Sequence, residues 1–173
     1  ILNVLIALGV RFSFLFGANN WAMDLATYAF LQDPALAVGM ISPFPYLWWT
    51  DAENPGIQFA ESVFAANERG AGEHNVGYLL SMSMVAIAKT SVEAAIDKVG
   101  FDNLTGADVH QALIDLGPYE AMGGVLRIDF SGDSRSPHIS QIRMIQGGPD
   151  AFNILQDWTE TPDLRPAENF SNP

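Results

Sequence analysis

Apolar residues near the start of the chain recur at helical spacing and then give way to a short aromatic run. Val4 and Leu5 lie four and three positions before Leu8, and Gly9 follows as a stop, which predicts a helix. The stretch ILNVLIALGV is as apolar as a signal-peptide core but lacks a basic start and a small-residue cleavage site. We therefore interpret it as a helix entered part-way, and expect the chain to be the C-terminal part of a longer protein.

The next segments repeat the same alternation of elements. RFSFLFG is a short aromatic and aliphatic run that predicts a buried strand. NNWAMDLATYAFLQ predicts a helix with Asn19 or Asn20 as its cap and Pro34 as its stop, and LAVGMIS predicts another strand. Helix, strand, helix and strand joined by short connections are typical of a parallel α/β sheet.

Further along the chain, two helices are predicted with clear boundaries. Asn54 caps the first, Pro55 lies in its first turn, and the second runs over Val76–Val99 and ends at Gly100. Their spacing also predicts which positions face the core. These positions are Ile57, Ala60 and Phe64 in the first helix and Tyr78, Met82, Val85, Val92, Ile96 and Val99 in the second.

The last third of the chain changes from helical to strand patterns. Thr105 and Asp108 have the spacing of a capping box, and Gly117 is the predicted end of that helix. GGVLRIDF, ISQIRMIQGG and AFNILQDW then alternate between turn signals, which predicts a meander of three strands. We expect residues 163–173, which are polar and rich in proline, to form an extended or disordered tail.

One segment, VGMISPFPYLWWTDAENPG, concentrates aromatic residues between prolines and an acidic turn. Phe44, Tyr46, Trp48 and Trp49 follow a predicted strand directly. Core packing accounts for such residues as readily as ligand binding does. However, ligands of open α/β sheets collect beyond the carboxyl ends of the strands, where this segment begins. It is therefore the strongest candidate for a binding site.

Composition narrows the class of function. The chain has 173 residues, 49% of them hydrophobic, which is enough for a packed core, and its net charge of −12 disfavours nucleic acid as a partner. No uninterrupted apolar run reaches the roughly 18 residues of a membrane span, so we expect no transmembrane helix. The absence of cysteine excludes disulfides, thiolate catalysis and Cys-based metal sites.

The inventory of catalytic groups is thin. His74, His110 and His138 have no ligand-like spacing, so we expect no metal site and no cofactor. Asp51 and Glu53 are two carboxylates near the aromatic segment, but their position before a helix favours a solvated cap. DFSGDSR begins like a calcium loop but lacks the closing glutamate, which favours a hairpin turn.

A series of motifs in the second half of the chain resembles the C-terminal part of type I periplasmic binding proteins of the branched-chain amino acid and amide ABC transporter class. The motifs include an LTG that opens a helix ending in AL, then a GG, a Ser-Asp turn with a histidine, and a strand that closes on glycine. They are carried by Tyr78 and Leu79, Glu93 to Gly100, Leu104 to Gly106, Ala112 and Leu113, Gly123 and Gly124, Phe130 to Asp133 with His138, Gly147 and Gly148, and Leu155 to Trp158.

This resemblance implies an α/β Venus-flytrap fold with two Rossmann-like lobes around central parallel sheets, of which the chain is the C-terminal part. It implies that residues 1–43 belong to the second lobe, that residues 44–128 return to the first, and that residues 129–162 go back to the second. The aromatic segment is then a hinge crossover that lines the cleft between the lobes.

The resemblance also implies ligand contacts. In amino-acid-binding members, a carboxylate after the strand that corresponds to FLFG holds the ligand ammonium, whereas this chain has an amide there. This substitution favours an amide, a short peptide or an aromatic acid as the ligand. The residues expected to contact it are Asn19, Asn20, Trp21, Phe44, Tyr46 and Trp48.

The function implied is that of a non-catalytic substrate-binding subunit of an ABC importer. Its expected partners are a small solute, the membrane permease and the missing N-terminal part of the protein, and its expected location is periplasmic or extracellular, with an N-terminal lipid anchor as an option. Two alternatives stay open. One is a ligand-sensing receptor domain of the same fold, and the other is a small α/β hydrolase that uses Asp51, Glu53 or a histidine.

Overall fold

The computed structural model describes most of the chain in terms of helices, two sheets and their connections. It describes residues 2–9, 15–16, 28, 30–31, 33–131, 137, 139–147 and 150–162. The helices are α1 (Leu2–Ala7), α2 (Pro55–Ala66), α3 (Val76–Val99) and α4 (Gly106–Asp115). The strands are β1 (Leu15–Phe16), β2 (Met40–Phe44), β3 (Pro118–Ala121), β4 (Leu126–Asp129), β5 (Ile139–Ile145) and β6 (Phe152–Glu160).

The larger sheet has four strands in the order β1-β2-β5-β6. β1 pairs with β2 in parallel, as the alternation of elements predicted, with Leu15 opposite Met40. β5 lies antiparallel to β2, with Ile41 opposite Met144, and β6 lies antiparallel to β5. The sheet is therefore mixed, and it takes its strands from both ends of the chain.

The middle of the chain forms α2, α3, α4 and a separate β3–β4 hairpin. The predicted helix starts are confirmed by their caps. Asn54 accepts hydrogen bonds from the backbone N–H groups of Gly56 and Ile57, and Thr105 and Asp108 form the reciprocal capping box. α3 has the predicted bounds and ends at Gly100, whose φ of 80° favours glycine.

The three strands predicted for the last third of the chain are present as β4, β5 and β6, but they do not form one meander. β4 pairs with β3, a strand that the sequence analysis did not identify, while β5 and β6 join the four-stranded sheet. The hairpin turns through Met122, Gly123 and Gly124, all with positive φ, so its two strands meet over a tight connection. That pairing separates the last third of the chain into two different sheets.

The predicted core face of α2 is confirmed, whereas that of α3 is correct only in part, since Tyr78 and Met82 pack against the core but Val85 does not. Ile57, Ala60 and Phe64 are buried in α2, whereas the fully buried side of α3 includes Leu79, Ser83 and Ile87. The other side of α3 carries Val85, which is 69% exposed. Because α3 is apolar on both sides, its hydrophobic period does not identify the side that is buried.

By length and composition alone, α3 is able to cross a membrane. An 18-residue window in it has a mean hydropathy of 1.4, which differs from our expectation of no such helix. The difference arises because scattered serines and threonines interrupt an apolar run without lowering its mean hydropathy much. Core helices pass the same test, so this property does not establish a membrane span. Only 28% of that window is buried, which leaves one side of α3 open.

Candidate functional site

Two segments of the chain run side by side and connect the four-stranded sheet to the part that contains α2, α3, α4 and the β3–β4 hairpin. The outgoing one, Phe44–Asp51, is called the connecting segment below. Tyr46 in it forms an antiparallel bridge with Leu126, at the start of β4, where the chain returns toward the sheet. The backbone N–H of Leu47 donates to the carbonyl of Val125 over 2.8 Å. The two crossings are thus hydrogen-bonded to each other as a short ribbon.

The aromatic side chains of the connecting segment pack on each other. Phe44, Tyr46 and Trp48 are each only 1% exposed. The centroid of Phe44 lies 5.4 Å from that of Tyr46, and Phe152 of β6 packs between Phe44 and Trp48 at 5.1 and 5.6 Å. Aromatic contacts at these distances and tilted angles stabilise a core beyond the area they bury. The rings therefore fasten the connecting segment to the sheet.

A buried ion pair holds the acidic end of the same segment. Nη2 of Arg143, on β5, lies 2.7 Å from Oδ2 of Asp51, and the side chains are 2% and 23% exposed. The same carboxylate oxygen accepts a hydrogen bond from the backbone N–H of Trp48 over 2.6 Å. The reading of Asp51 as a solvated cap is therefore wrong, because its carboxylate is the partner of a buried guanidinium.

The ion pair continues into β5 and β6. Oε1 of Gln141 accepts from Nε and Nη2 of Arg143 at 3.0 and 2.6 Å, and Nε2 of Gln141 donates to Oδ1 of Asp157 over 2.9 Å. That last bond, followed by one from the backbone N–H of Trp158, lowers the pKa of the Asp157 carboxyl. Hydrogen bonds therefore link Asp51, Arg143, Gln141 and Asp157 in a continuous network.

Asp150, between β5 and β6, joins the indole of Trp48 to a buried histidine. Oδ1 of Asp150 accepts from Nε1 of Trp48 over 2.7 Å, and Oδ2 lies 3.6 Å from Nδ1 of His74. His74 stacks on Trp49 with centroids 4.2 Å apart, and its Nε2 lies 3.0 Å from Glu61 Oε1 without the alignment of a hydrogen bond. Two carboxylates thus flank one imidazole at the edge of the connecting segment.

The pKa of the Tyr28 phenol is also affected by Asp150. Burial, and then the charge of Asp150, raise the pKa of Tyr28 to about 12. Tyr28 itself is buried. The carboxylate of Asp150 therefore interacts with the side chains of Trp48, His74 and Tyr28, which lie in three separate parts of the chain.

The structure brings together three of the six predicted ligand contacts. Phe44, Tyr46 and Trp48 lie in one cluster, with their rings enclosed by the core. The other three, Asn19, Asn20 and Trp21, lie outside the described residues. The role of all six in ligand binding stays a prediction.

The catalytic and metal candidates are not brought together in the described structure. The Asp51 carboxylate is occupied by Arg143, Glu53 is exposed, and His110 lies on an exposed position of α4. Among the residues that the structure describes, no group of three histidine or carboxylate side chains could hold a metal ion. What the arrangement provides is a fixed, charged and aromatic connection between two parts of the chain.

Sequence reasoning missed Arg143, Gln141 and Asp150. In ISQIRMI, polar Gln141 and Arg143 alternate with apolar Ile142 and Met144, so the two polar side chains lie on the same face of the strand. Such a pattern normally places the polar side in solvent. Here the polar side is buried, and its partner Asp51 is 92 positions away in the sequence. The charged residue within an otherwise apolar strand could have signalled a buried ion pair. The sequence did not identify the partner of that residue.

Neither a family model nor a curated protein matches the sequence, whereas solved structures match its fold. A fatty acid ABC transporter substrate-binding protein from Thermomonospora curvata has a TM-score of 0.72 at 16% identity, covering 92% of this chain and 40% of that one. A branched-chain amino acid ABC transporter from Thermus thermophilus, with bound valine, has a TM-score of 0.71 at 19% identity, covering 92% and 42%. An ABC transporter substrate-binding protein from Aeropyrum pernix has a TM-score of 0.52 at 14% identity, covering 73% and 33%.

These likenesses define the fold. The chain has the α/β fold of the type I periplasmic binding proteins, as the sequence motifs implied. It spans about two fifths of the length of the solved chains from Thermomonospora curvata and Thermus thermophilus. More than half of each of those proteins therefore has no counterpart in these 173 residues.

Proposed function

We propose that the chain is part of the substrate-binding subunit of an ABC importer, which captures a small solute between two lobes and has no catalytic role. The observation that carries this proposal is the likeness over 92% of the chain to two substrate-binding structures. The proposed solute is amino-acid-like, an amide, a short peptide or an aromatic acid. The solute enters a cleft, and movement of one lobe on the other encloses it.

The path of the chain supports the proposed division into lobes. The four-stranded sheet takes β1 and β2 from residues 1–43 and its immediate boundary, and β5 and β6 from residues 129–162. The helices and the hairpin between them belong to residues 44–128. The proposed hinge is the ribbon of two crossings, in which Tyr46 pairs with Leu126.

The proposed ligand contacts fall into two groups. Asn19, Asn20 and Trp21 follow β1, so they lie in sequence where a strand of the α/β sheet delivers side chains toward a cleft. Phe44, Tyr46 and Trp48 are enclosed in this structure, and their packing supports a role in holding the wall of the cleft. In this proposal the amides hydrogen-bond the solute, and the aromatic side chains form part of the wall of the cleft.

The remaining parts of the proposal concern the whole protein. Delivery requires a membrane permease as partner, and a protein that serves it from outside the cytoplasm is periplasmic or extracellular. The proposal also includes the preceding part of the polypeptide, which supplies the rest of the first lobe. Its support is the length of the solved chains, of which this chain covers 40% and 42%.

Thermal-shift screening of the encoded polypeptide tests the proposal directly. A ligand present at a hundred times its dissociation constant adds about 2.7 kcal/mol of stability. We expect a clear rise in Tm with one of four solute groups, namely amino acids, amides, short peptides and aromatic acids. Conversion of the solute to a product would contradict a binding protein, and the absence of a shift with all four groups would contradict the solute assignment.

Matched variants test the contacts. Asn19→Ala is expected to weaken the shift strongly, whereas Asn153→Ala, at an exposed position of β6, is expected to leave it unchanged. Equal shifts in both variants would overturn the assignment of Asn19 to the ligand. Isothermal titration with the solute identified in the screen supplies the dissociation constants.

A further inference from the structure

His74 is a buried imidazole whose two ring nitrogens face two different carboxylates. Its side chain is only 8% exposed. Nε2 lies 3.0 Å from Oε1 of Glu61 on α2, and Nδ1 lies 3.6 Å from Oδ2 of Asp150, in the connection between β5 and β6. Within the described part of the chain, neither ring nitrogen has an aligned hydrogen bond. Buried polar groups in native proteins are normally hydrogen-bonded, so this arrangement calls for a physical explanation.

Aromatic rings fix the plane of this imidazole. Trp49 stacks on it with an interplanar angle of 2° and centroids 4.2 Å apart, and Phe64 packs on it at 5.5 Å. Trp49 is itself held in place, because its Nε1 donates to the carbonyl of Asn75 over 3.1 Å. Turning the imidazole out of its plane would break the stack. The ring nitrogens therefore stay between the two carboxylates.

The number of protons on the ring decides how many of these carboxylates it binds. Neutral imidazole has one N–H, so it donates to one carboxylate and turns a lone pair toward the other. The imidazolium cation has an N–H on each nitrogen and donates to both, and such charge-assisted hydrogen bonds are stronger than neutral ones. In ordinary surroundings, histidine changes between these two forms from about pH 5 to 8.

The charge that His74 meets is mainly that of these two carboxylates. Arg69 and Glu73, in the connection between α2 and α3, pair with each other at 3.8 Å, so their charges offset each other. The Tyr28 phenol stays uncharged from pH 5 to 8, because burial, and then the charge of Asp150, raise its pKa to about 12. The side chains that contact the imidazole from the elements around it are Glu61 and Phe64 of α2, Trp49 of the connecting segment, and Asp150. Further out, the Arg69 guanidinium lies over the rings of Phe64 and Tyr78 at 5.8 and 5.9 Å.

We propose that Glu61, His74 and Asp150 form a pH-dependent link, in which the imidazolium binds both carboxylates and the neutral ring releases one of them. Glu61 and His74 belong to residues 44–128, whereas Asp150 belongs to residues 129–162. The link therefore joins two parts of the chain at a point outside the ribbon of Tyr46 and Leu126. Acid strengthens this attachment and alkali weakens it. The inference goes beyond the proposed function, since no solute takes part in it.

Thermal unfolding of the encoded polypeptide at pH 5.5 and pH 8 tests the link. His74→Phe keeps a ring to stack on Trp49 but has no ring nitrogen. The stabilisation by the imidazolium is present while both nitrogens carry protons and is lost as the ring deprotonates. We therefore expect the Tm of the unmodified protein to fall between pH 5.5 and 8 by about 2 °C more than that of His74→Phe. The difference is modest because the side chains of Glu61 and Asp150 are 43% and 35% exposed, so water screens their charges.

Two further variants complete the design. His110→Gln removes an exposed histidine of α4 and is the matched control, which should keep the pH dependence of the unmodified protein. Asp150→Asn covers the case in which His74→Phe does not fold. Asparagine keeps an oxygen for the indole N–H of Trp48, which Asp150 accepts over 2.7 Å, and that contact does not titrate in this range. The part of its Tm change that depends on pH therefore reports the contact with His74, and we expect a larger loss at pH 5.5 than at pH 8.

Nitrogen-15 NMR of the imidazole reads the proton count directly, and we expect two N–H groups on His74 at pH 5.5 and one at pH 8. Three results would overturn the proposal. One N–H on His74 at pH 5.5 would make it a neutral core histidine. The same pH dependence of Tm in the unmodified protein and in His74→Phe would show that the charge of the ring does not hold the two parts together. Equal Tm losses for Asp150→Asn at both pH values would assign Asp150 to Trp48 alone.

Discussion

Replacing Asp51 by asparagine is the sharpest test of how the connecting segment is held. The change removes one negative charge while keeping a side-chain oxygen near the backbone N–H of Trp48. Arg143 then keeps its two hydrogen bonds to Gln141 Oε1 but loses the carboxylate 2.7 Å from Nη2. Because the Arg143 side chain is only 2% exposed, water cannot replace that partner.

The cost follows from burial. Removing one partner of a fully buried ion pair costs about 3–5 kcal/mol, and a hydrogen bond to a charged group contributes about 1.5–3 kcal/mol. Asp51 is 23% exposed and Gln141 still binds the guanidinium, so both factors lower the expected loss to the bottom of the first range or below it, within the second range. We expect Asp51→Asn to lower the free energy of unfolding by about 2–3 kcal/mol.

Urea unfolding provides the measurement, and the chain contains a matched control. Lys89 and Glu93 form a pair at the same 2.7 Å, but their side chains are 68% and 58% exposed. Glu93→Gln is expected to cost only about 0.3–0.5 kcal/mol, and salt should reduce that cost further. If Asp51→Asn and Glu93→Gln lower the free energy of unfolding equally at unchanged m-value, burial is not what makes the Arg143 pair strong.

Two other changes test the hairpin and the capping box. Gly56→Ala places a Cβ inside the van der Waals distance of the Met122 backbone, so it should lower the free energy of unfolding in urea by about 3 kcal/mol. Gly106→Ala, which has open space at its Cβ, should leave the free energy of unfolding unchanged. Equal effects of the two substitutions would refute the close approach of Gly56 to Met122. The hydrogen bond from the Thr105 side chain is the main cause of the lowered pKa of Asp108. Its stabilising effect is present above the ordinary carboxyl pKa and is lost as pH falls through the lowered value. Thr105→Ala should therefore raise the pKa of Asp108 in a carboxyl NMR titration, and an unchanged value would contradict this cause.

Local signals predicted the elements well because they depend on neighbouring residues. Asn54 before Pro55 and Thr105 before Asp108 mark helix starts that the structure confirms, since a cap is read within one turn. β3 was missed because its four residues have no long alternating pattern. Its strand conformation depends on pairing with β4 across the turn at Met122, which is a tertiary contact.

The candidate site was predictable only in part, for the same reason. The aromatic segment could be recognised because its residues lie close together in the sequence. The residues that bind Trp48 and Asp51 are distant in the sequence and could not be recognised. Asp51 and Arg143 are 92 positions apart, and Trp48 and Asp150 are 102 positions apart. The side of α3 that is buried was also unreadable, because a helix with two apolar sides gives the same period whichever side is covered.

The contacts of the connecting segment constrain how the proposed lobes move. Asp51 and Trp48 are tied to the sheet side by Arg143 and Asp150, while Trp49 donates to the backbone carbonyl of Asn75 on the helical side. A rotation that separated the segment from either side would break a buried charged or indole hydrogen bond. Trp48 and Asp51 follow Tyr46 in the chain but are held to the sheet side, so a bend at the Tyr46–Leu126 pairing would strain these contacts as well. In the proposed function, the buried network therefore keeps the aromatic side chains of the connecting segment fixed on the sheet.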